Sequence, residues 1–205
     1  MNQTVRWIII YLLLILLIFF LCLAFFLFPY YYDWFAGKNI VNQHIQEVVG
    51  NETDPKVVSV LLLQWVHENV HYPNLEEQSF SLNSDGSGIY KINNKTRLFL
   101  RGGHASWIIK TKLGRCGEDA RYFIEIMGSL GFEAKIIRSP QIDHALAEYS
   151  TKEGYKIIVD PSSNSVGINL QEWTKERNVT KLFSEDVKGK KEDISERIDN
   201  FLTFR

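Results

Sequence analysis

The sequence predicts an α+β domain held behind one apolar N-terminal helix, and three features predict it. Residues 7–28 are an uncharged run, WIIIYLLLILLIFFLCLAFFLF. Apolar residues at helical spacing fill GEDARYFIEIMGSLGF, and three strand-like segments, EAKIIRS, HALAEYS and YKIIVDP, follow at short intervals. Helices first, then a helix followed by a run of strands, is the order of an α+β protein rather than of an alternating α/β one.

The apolar run comes first. Its 22 residues, at about 1.5 Å each, span roughly 33 Å against a bilayer core of about 30 Å. The alternative, a cleaved signal peptide, has a shorter apolar region of about 7–15 residues that ends in a small-residue cleavage site. This run ends instead in FPYYYDW, where Tyr30, Tyr31, Tyr32 and Trp34 read as an interfacial aromatic belt. The chain therefore divides into a membrane anchor, residues 1–34, and one domain, residues 35–205. Arg6 and the N-terminal amine precede the span, and the first cation after it is Lys38. That asymmetry places the N-terminus in the cytoplasm and the domain outside it. Sequons at Asn51, Asn94 and Asn178 accord with an extracytoplasmic domain, and equally with Ser/Thr-containing loops that carry no glycan.

Charge and cysteine usage bound the partners. Lys+Arg total 23 and Asp+Glu 24, a net charge of −1, and no basic patch interleaved with aromatics suggests nucleic acid. The partners implied are the lipid bilayer and a protein or peptide substrate, while the oligomeric state is not legible. Cys22 lies in the span and Cys116 far beyond it, so no intramolecular disulfide is expected and Cys116 is a free thiol. No cofactor and no metal is signalled: HExxH and CxxC are absent, and RGGHAS lacks both the spacing and the lysine of a phosphate loop. His67 and His71 are four apart on a helix, but no third ligand accompanies them, which favours a surface reading.

Along the domain, Val41, Ile45, Val48 and Val49 predict a short helix. TDPKVVSVLLLQWVHENVHYP predicts a second, with Thr53 or Asp54 as N-cap, Pro55 at the first position and an end at Tyr72–Pro73. Residues 74–104 read as a long loop placed to drape over a site. In the next helix Ala120, Phe123, Ile124, Met127 and Leu130 make the buried stripe, Glu118 and Asp119 fall in the first turn, and Gly131 is the C-cap. Lys152–Gly154 is a tight turn that makes the second and third strands an antiparallel hairpin. A last amphipathic helix carries Ile194, Ile198, Phe201 and Leu202.

The chemistry concentrates at Cys116, in LGRCGEDARY. It sits at the N-terminal edge of a helix and beside Arg115, and both features favour a thiolate, the nucleophilic form. The first amides of that helix, Gly117 among them, can donate to an oxyanion. A small cysteine that fills space at a tight turn is the plain alternative. A cysteine nucleophile also needs an imidazole, and the imidazole an orienting group. His144 begins one strand of the predicted hairpin and Asp160 ends the next, so the two are neighbours across an antiparallel pair. Asp143 is a rival orienter, though its side chain should face the other way. His44, His67, His71 and His104 have no comparable partners.

GRCGE followed by an amphipathic helix, GFEAKII, DHALAEYS and VDPSSNS resembles the transglutaminase-like superfamily of papain-related cysteine enzymes, over about residues 57–165. Locally it is most similar to the peptide:N-glycanase branch. The resemblance implies a helix carrying the cysteine packed on an antiparallel sheet, with Cys116 as nucleophile, His144 as general base and acid, and Asp160 as orienting carboxylate. It also implies an aromatic that supports the oxyanion, for which Trp107 and Trp65 are candidates, Trp65 reading as core. Arg115 is a candidate for holding the thiolate or for pairing with Glu118. Leu146 stands where relatives carry an aromatic, a change expected to alter the substrate groove, and the CxxC zinc module of eukaryotic peptide:N-glycanases is absent. The implied activity is attack on amide bonds through an acyl-thioester, hydrolysis more than cross-linking. The alternative is a catalytically inactive tethered domain that binds protein or cell wall.

Overall fold

The computed structural model describes residues 3–32 and 36–200. Helix α1 (Gln3–Tyr32) contains the stretch Val5–Phe25, with a mean hydropathy of 3.4, long and apolar enough to cross a membrane and not covered by the rest of the protein. Tyr30, Tyr31 and Tyr32 end that helix, while Trp34 of the expected aromatic belt lies outside the described residues.

Two helices follow as expected. They are α2 (Lys38–Val48) and α3 (Pro55–Asn69), where the Asp54 carboxylate accepts from the Lys56 amide at 2.8 Å and Pro55 takes the first position. A proline there gives up only an amide that the helix would leave unpaired. α3 stops at Asn69, three residues before the expected end.

Residues 74–104 are not a long loop. They fold into a small antiparallel sheet, β1 (Gln78–Ser81), β2 (Gly88–Ile92) and β3 (Lys95–Phe99), in that order. The β2–β3 turn is Asn93–Asn94, both at positive φ (50° and 61°), the left-handed conformation that a two-residue hairpin needs and that asparagine tolerates. Tyr90, Ile92 and Phe99 bury one face with Leu113. The Asn, Ser and charge that read as loop belong to the other face and to the turns. Helix α4 (Ala105–Thr111), also unforeseen, follows.

Helix α5 (Cys116–Ser129) lies against the second sheet, whose strand order is β7-β6-β5-β4-β8-β9, every pair antiparallel. Its strands are β4 (Ala134–Arg138), β5 (Ala145–Ser150), β6 (Lys156–Asp160), β7 (Ser165–Val166), β8 (Phe183–Asp186) and β9 (Lys191–Asp193), with α6 (Leu170–Glu176) between β7 and β8. The predicted stripe packs: Phe123, Ile124 and Met127 meet Ile136, Ala147, Tyr149 and Val159. Each such large side chain fully withdrawn from water contributes about 1.5–3 kcal/mol. The opposite sheet face is covered too, by Leu170 and Trp173 of α6 against Ile137, Leu146 and Ile158. That double burial explains why HALAEYS shows so little polar alternation.

Of the expected C-terminal helix the described residues show α7 (Arg197–Asn200), and the segment before it, 183–193, forms the hairpin β8–β9. Ile194 and Ile198 still pack on the second core, and Phe201 and Leu202 lie outside the described residues. The architecture is α+β, with two antiparallel sheets behind one apolar helix. Three of the four sheet edges are short, charged or irregular: β7 has two residues, β9 is Lys-Glu-Asp with all three exposed, and the pairing of β1 with β2 shifts register between Gln78 and Phe80.

Candidate active site

Three elements supply the site, and each has a local reason for its position. Cys116 is the first residue of α5, which Arg115 precedes in extended conformation. The Glu118 carboxylate closes that end: it accepts from the Arg115 amide at 3.2 Å and, across the chain, from the Gly102 amide at 2.8 Å. The β5–β6 register pairs Ala147 with Val159, so Leu146 stands opposite Asp160, and His144 lies just outside the strand on that same end. The hairpin thus brings His144 and Asp160 together through backbone pairing alone.

The contacts follow. Nε2 of His144 hydrogen-bonds Oδ2 of Asp160 at 2.8 Å, and Cys116 acts on the same ring, raising its pKa. With Nε2 engaged by Asp160, Nδ1 is left for the sulfur. The Cys116 thiol also lies 3.7 Å from the Asp143 carbonyl, to which it can donate. Cys116, His144 and Asp160 therefore converge. Asp160 is itself held: the Ser162 hydroxyl donates to its Oδ1 at 2.6 Å and the Ser162 amide at 3.1 Å. Burial opposes its charge, but the hydrogen bonds from His144 and Ser162 keep it below the usual carboxylate range. The hydrogen bond to Asp160, and next Cys116, raises His144 to about 9, against the opposing effect of burial. At neutral pH the ring is thus an imidazolium beside a sulfur, the arrangement that can stabilise a thiolate and later return a proton to a leaving nitrogen.

Gly117 follows Cys116 in the open first turn, where backbone amides have no intrahelical acceptor. A Cβ there would lie 3.7 Å from the Arg138 guanidinium, so a second cation stands over this helix end. The Arg115 guanidinium turns away from the sulfur, between the rings of Tyr72 and Phe99 (5.5 Å from each centroid) and against Gly86, with only its backbone amide on Glu118. Arg101 bridges Glu118 (3.9 Å) and Asp143 (3.4 Å), whose carbonyl lies 3.7 Å from the Cys116 sulfur. Trp107 is buried in α4 with its ring against Gly103. Trp65 belongs to the core, stacked on Tyr122 at 4.9 Å with the Lys112 ammonium over it.

Other expectations resolve plainly. The Asp143 side chain is 81% exposed and points away from His144. Leu146 is fully buried beneath α6 and offers nothing to a groove, and the aromatic beside His144 is Trp173, with ring centroids 6.0 Å apart. His44, His71 and His104 do have partners: the Tyr122 hydroxyl at 2.6 Å, Glu77 at 2.9 Å and Glu125 at 2.7 Å. Those histidines stitch elements together away from Cys116. Among the described residues no group of three His, Cys, Asp or Glu side chains is disposed to hold a metal. Arg101 and Trp173 left no mark in the sequence, because only tertiary folding brings them here. Ser162 did leave one, since DPS after a strand is the pattern of a carboxylate capped by its own turn.

No family model and no curated protein matches this sequence. The case for a function therefore rests on the site.

Beside the site lies one carboxyl with no role in it. Asp119 is 4% exposed, its Oδ1 has no hydrogen-bond partner, and that atom presses on Gly114, where a Cβ would stand 2.2 Å away. Burial first, and then the charges of Glu118 and Asp160, push it up to about 8. Its surroundings thus favour the protonated, neutral form of Asp119.

Proposed function

We propose that this chain is a membrane-anchored, transglutaminase-like cysteine enzyme that attacks amide bonds through an acyl-thioester. The observation that carries the reading is the grouping of Cys116, His144 and Asp160: the Cys116 thiol lies 3.7 Å from the carbonyl of Asp143, the residue before His144, and the His144 ring is held by the Asp160 carboxylate at 2.8 Å. In this mechanism the Cys116 sulfur adds to the amide carbonyl, with the oxyanion facing the Cys116 and Gly117 amides. The imidazolium of His144 gives its proton to the departing nitrogen and the C–N bond breaks. The neutral ring then takes a proton from water as that water adds to the thioester, releasing acid and thiol. An amine in place of water gives cross-linking; hydrolysis is the favoured outcome. In this reading the helix carrying Cys116 and the antiparallel sheet beneath it form a papain-like core, α1 is a single-pass anchor, and the Arg6/Lys38 asymmetry puts the N-terminus in the cytoplasm and the domain outside.

The test uses the full chain in detergent micelles. Casein, glutamine–amine pairs, cell-wall peptides and glycopeptides are screened for turnover, with Cys116→Ala as control, and Cys116 is labelled with iodoacetamide at pH 6. Fast labelling that His144→Ala abolishes, with turnover that Cys116→Ala abolishes, supports the enzyme. Slow labelling that is equal in both chains, with no turnover, refutes it and leaves a tethered binding domain.

A further inference from the structure

Arg101 faces two ways. Its side chain pairs with Glu118 (3.9 Å) and with Asp143 (3.4 Å), whose carbonyl lies 3.7 Å from the Cys116 sulfur, and it also lines a cavity of about 460 Å³ between α1 and the small sheet. Strand β3 builds one wall by simple alternation: Phe99 turns into the core, while Leu98 before it and Leu100 after it turn to the cavity. Leu82 and Trp107 extend that wall, and Phe25 and Phe28 of α1 form the opposite one. Polar groups in the lining are already engaged with each other. Asp85 accepts from the Ser87 amide at 2.8 Å, and the Ser87 hydroxyl accepts from the Arg101 amide at 3.0 Å. The surface offered to a ligand is thus largely apolar, with Arg101 and Gly102, both tied to Glu118 at the start of α5, at its margin.

The position of this cavity selects its occupant. Phe25 closes the stretch of α1 that is apolar enough for a bilayer, and Phe28 lies about 4.5 Å further along the helix axis. With α1 in a membrane, the cavity sits where lipid chains meet headgroups. A soluble peptide would gain nothing from a wall contributed by the membrane helix, whereas a molecule held in the bilayer can slide its chain in sideways along α1.

We propose that this cavity is the acyl-chain subsite of the candidate active site, and that the substrate is an amide-bearing membrane amphiphile whose chain lies between α1 and β3 with its carbonyl at Cys116. The inference rests on the cysteine-enzyme reading above. The sulfur–carbon bond forms as the carbon–nitrogen bond breaks, the amine leaves with the proton of His144, and the chain stays in the cavity until water releases it as a carboxylic acid.

The experiment uses the full chain with Cys22→Ser in phospholipid nanodiscs and two alkylating probes, iodoacetamide and N-dodecyl iodoacetamide, with Cys116 labelling followed by mass spectrometry. Leu98→Trp fills the cavity and Leu100→Arg puts a charge in its apolar wall. Both positions are half-buried, and an unchanged iodoacetamide rate shows that the variant is folded. Because both probes partition into the same discs in every sample, the ratio of their rates isolates the cavity. The expected result is a ratio about tenfold lower in either variant, the effect of about two methylene groups failing to leave water. A ratio that neither variant changes, with iodoacetamide labelling still fast, overturns the subsite and leaves the enzyme reading standing. Slow iodoacetamide labelling that His144→Ala does not alter overturns the enzyme reading, and the subsite with it.

Discussion

Replacing Asp160 by asparagine keeps the shape of the site and removes one charge. In the native protein His144 lies at about 9, mainly through its 2.8 Å bond to Asp160 and next through Cys116. The ordinary value is 6.5, so the difference of about 2.5 units corresponds to about 3 kcal/mol at 1.36 kcal/mol per unit. That is the top of the ~1.5–3 kcal/mol range for a hydrogen bond to a charged group, as suits a ring that is only 29% exposed. The sign follows from the raised value: the stabilisation is fully present below pH 6.5 and is lost as pH rises through about 9. In the Asp160→Asn variant the largest raising cause is gone, while that of Cys116 stays and burial still lowers the ring, so His144 should titrate below its native value. The imidazolium population at pH 7.5 then falls, and iodoacetamide labelling of Cys116 should fall by up to about tenfold, the limit reached if the whole shift is lost. Ring-proton NMR titration of His144 reads the first quantity directly and mass spectrometry the second. A native titration midpoint already near 6.5, or one that Asp160→Asn leaves unmoved, would refute the reasoning.

Three further outcomes are expected. Asp119→Asn should stabilise the fold, by an amount that grows roughly 1 kcal/mol per pH unit between pH 4 and 8, because the folded carboxyl titrates at about 8 rather than 3.8; the Tm difference then widens by about 2–4 °C per unit, and a gap independent of pH would contradict the neutral acid. Glu118→Ala strips the acceptor from the Gly102 and Arg115 amides and the partner from Arg101, and should cost about 3–5 kcal/mol in thermal melts, with Glu118→Gln costing less. Gly114→Ala drives a methyl into Asp119 and should cost about 1–3 kcal/mol, less when combined with Asp119→Ala.

What the sequence made legible was local. The stripe of α5, the Asp54–Pro55 start of α3 and the β5–β6 hairpin are short-range patterns, and the hairpin register carried the His144–Asp160 contact with it. Residues 74–104 misled because a small sheet covered on one face has a polar composition like that of a loop; the Asn93–Asn94 turn was the available sign. Arg115 misled for a different reason. Adjacency to Cys116 in the chain does not fix where a long side chain goes, and two aromatic rings drew it away. Arg101, 15 residues earlier in the numbering, occupies the place by tertiary packing alone.

The blunt margins of the two sheets matter more for a tethered protein than for a free one. With α1 in a bilayer, copies would stand at one height and in similar orientation, so strand margins would meet far more often than in three dimensions. A two-residue strand, a Lys-Glu-Asp strand and a bulged one each deny a neighbour the long flat ladder it would need to add on. Lengthening β7, or neutralising Lys191 and Glu192, should therefore leave a dilute sample in detergent unaffected and cause clustering only at high surface density in vesicles.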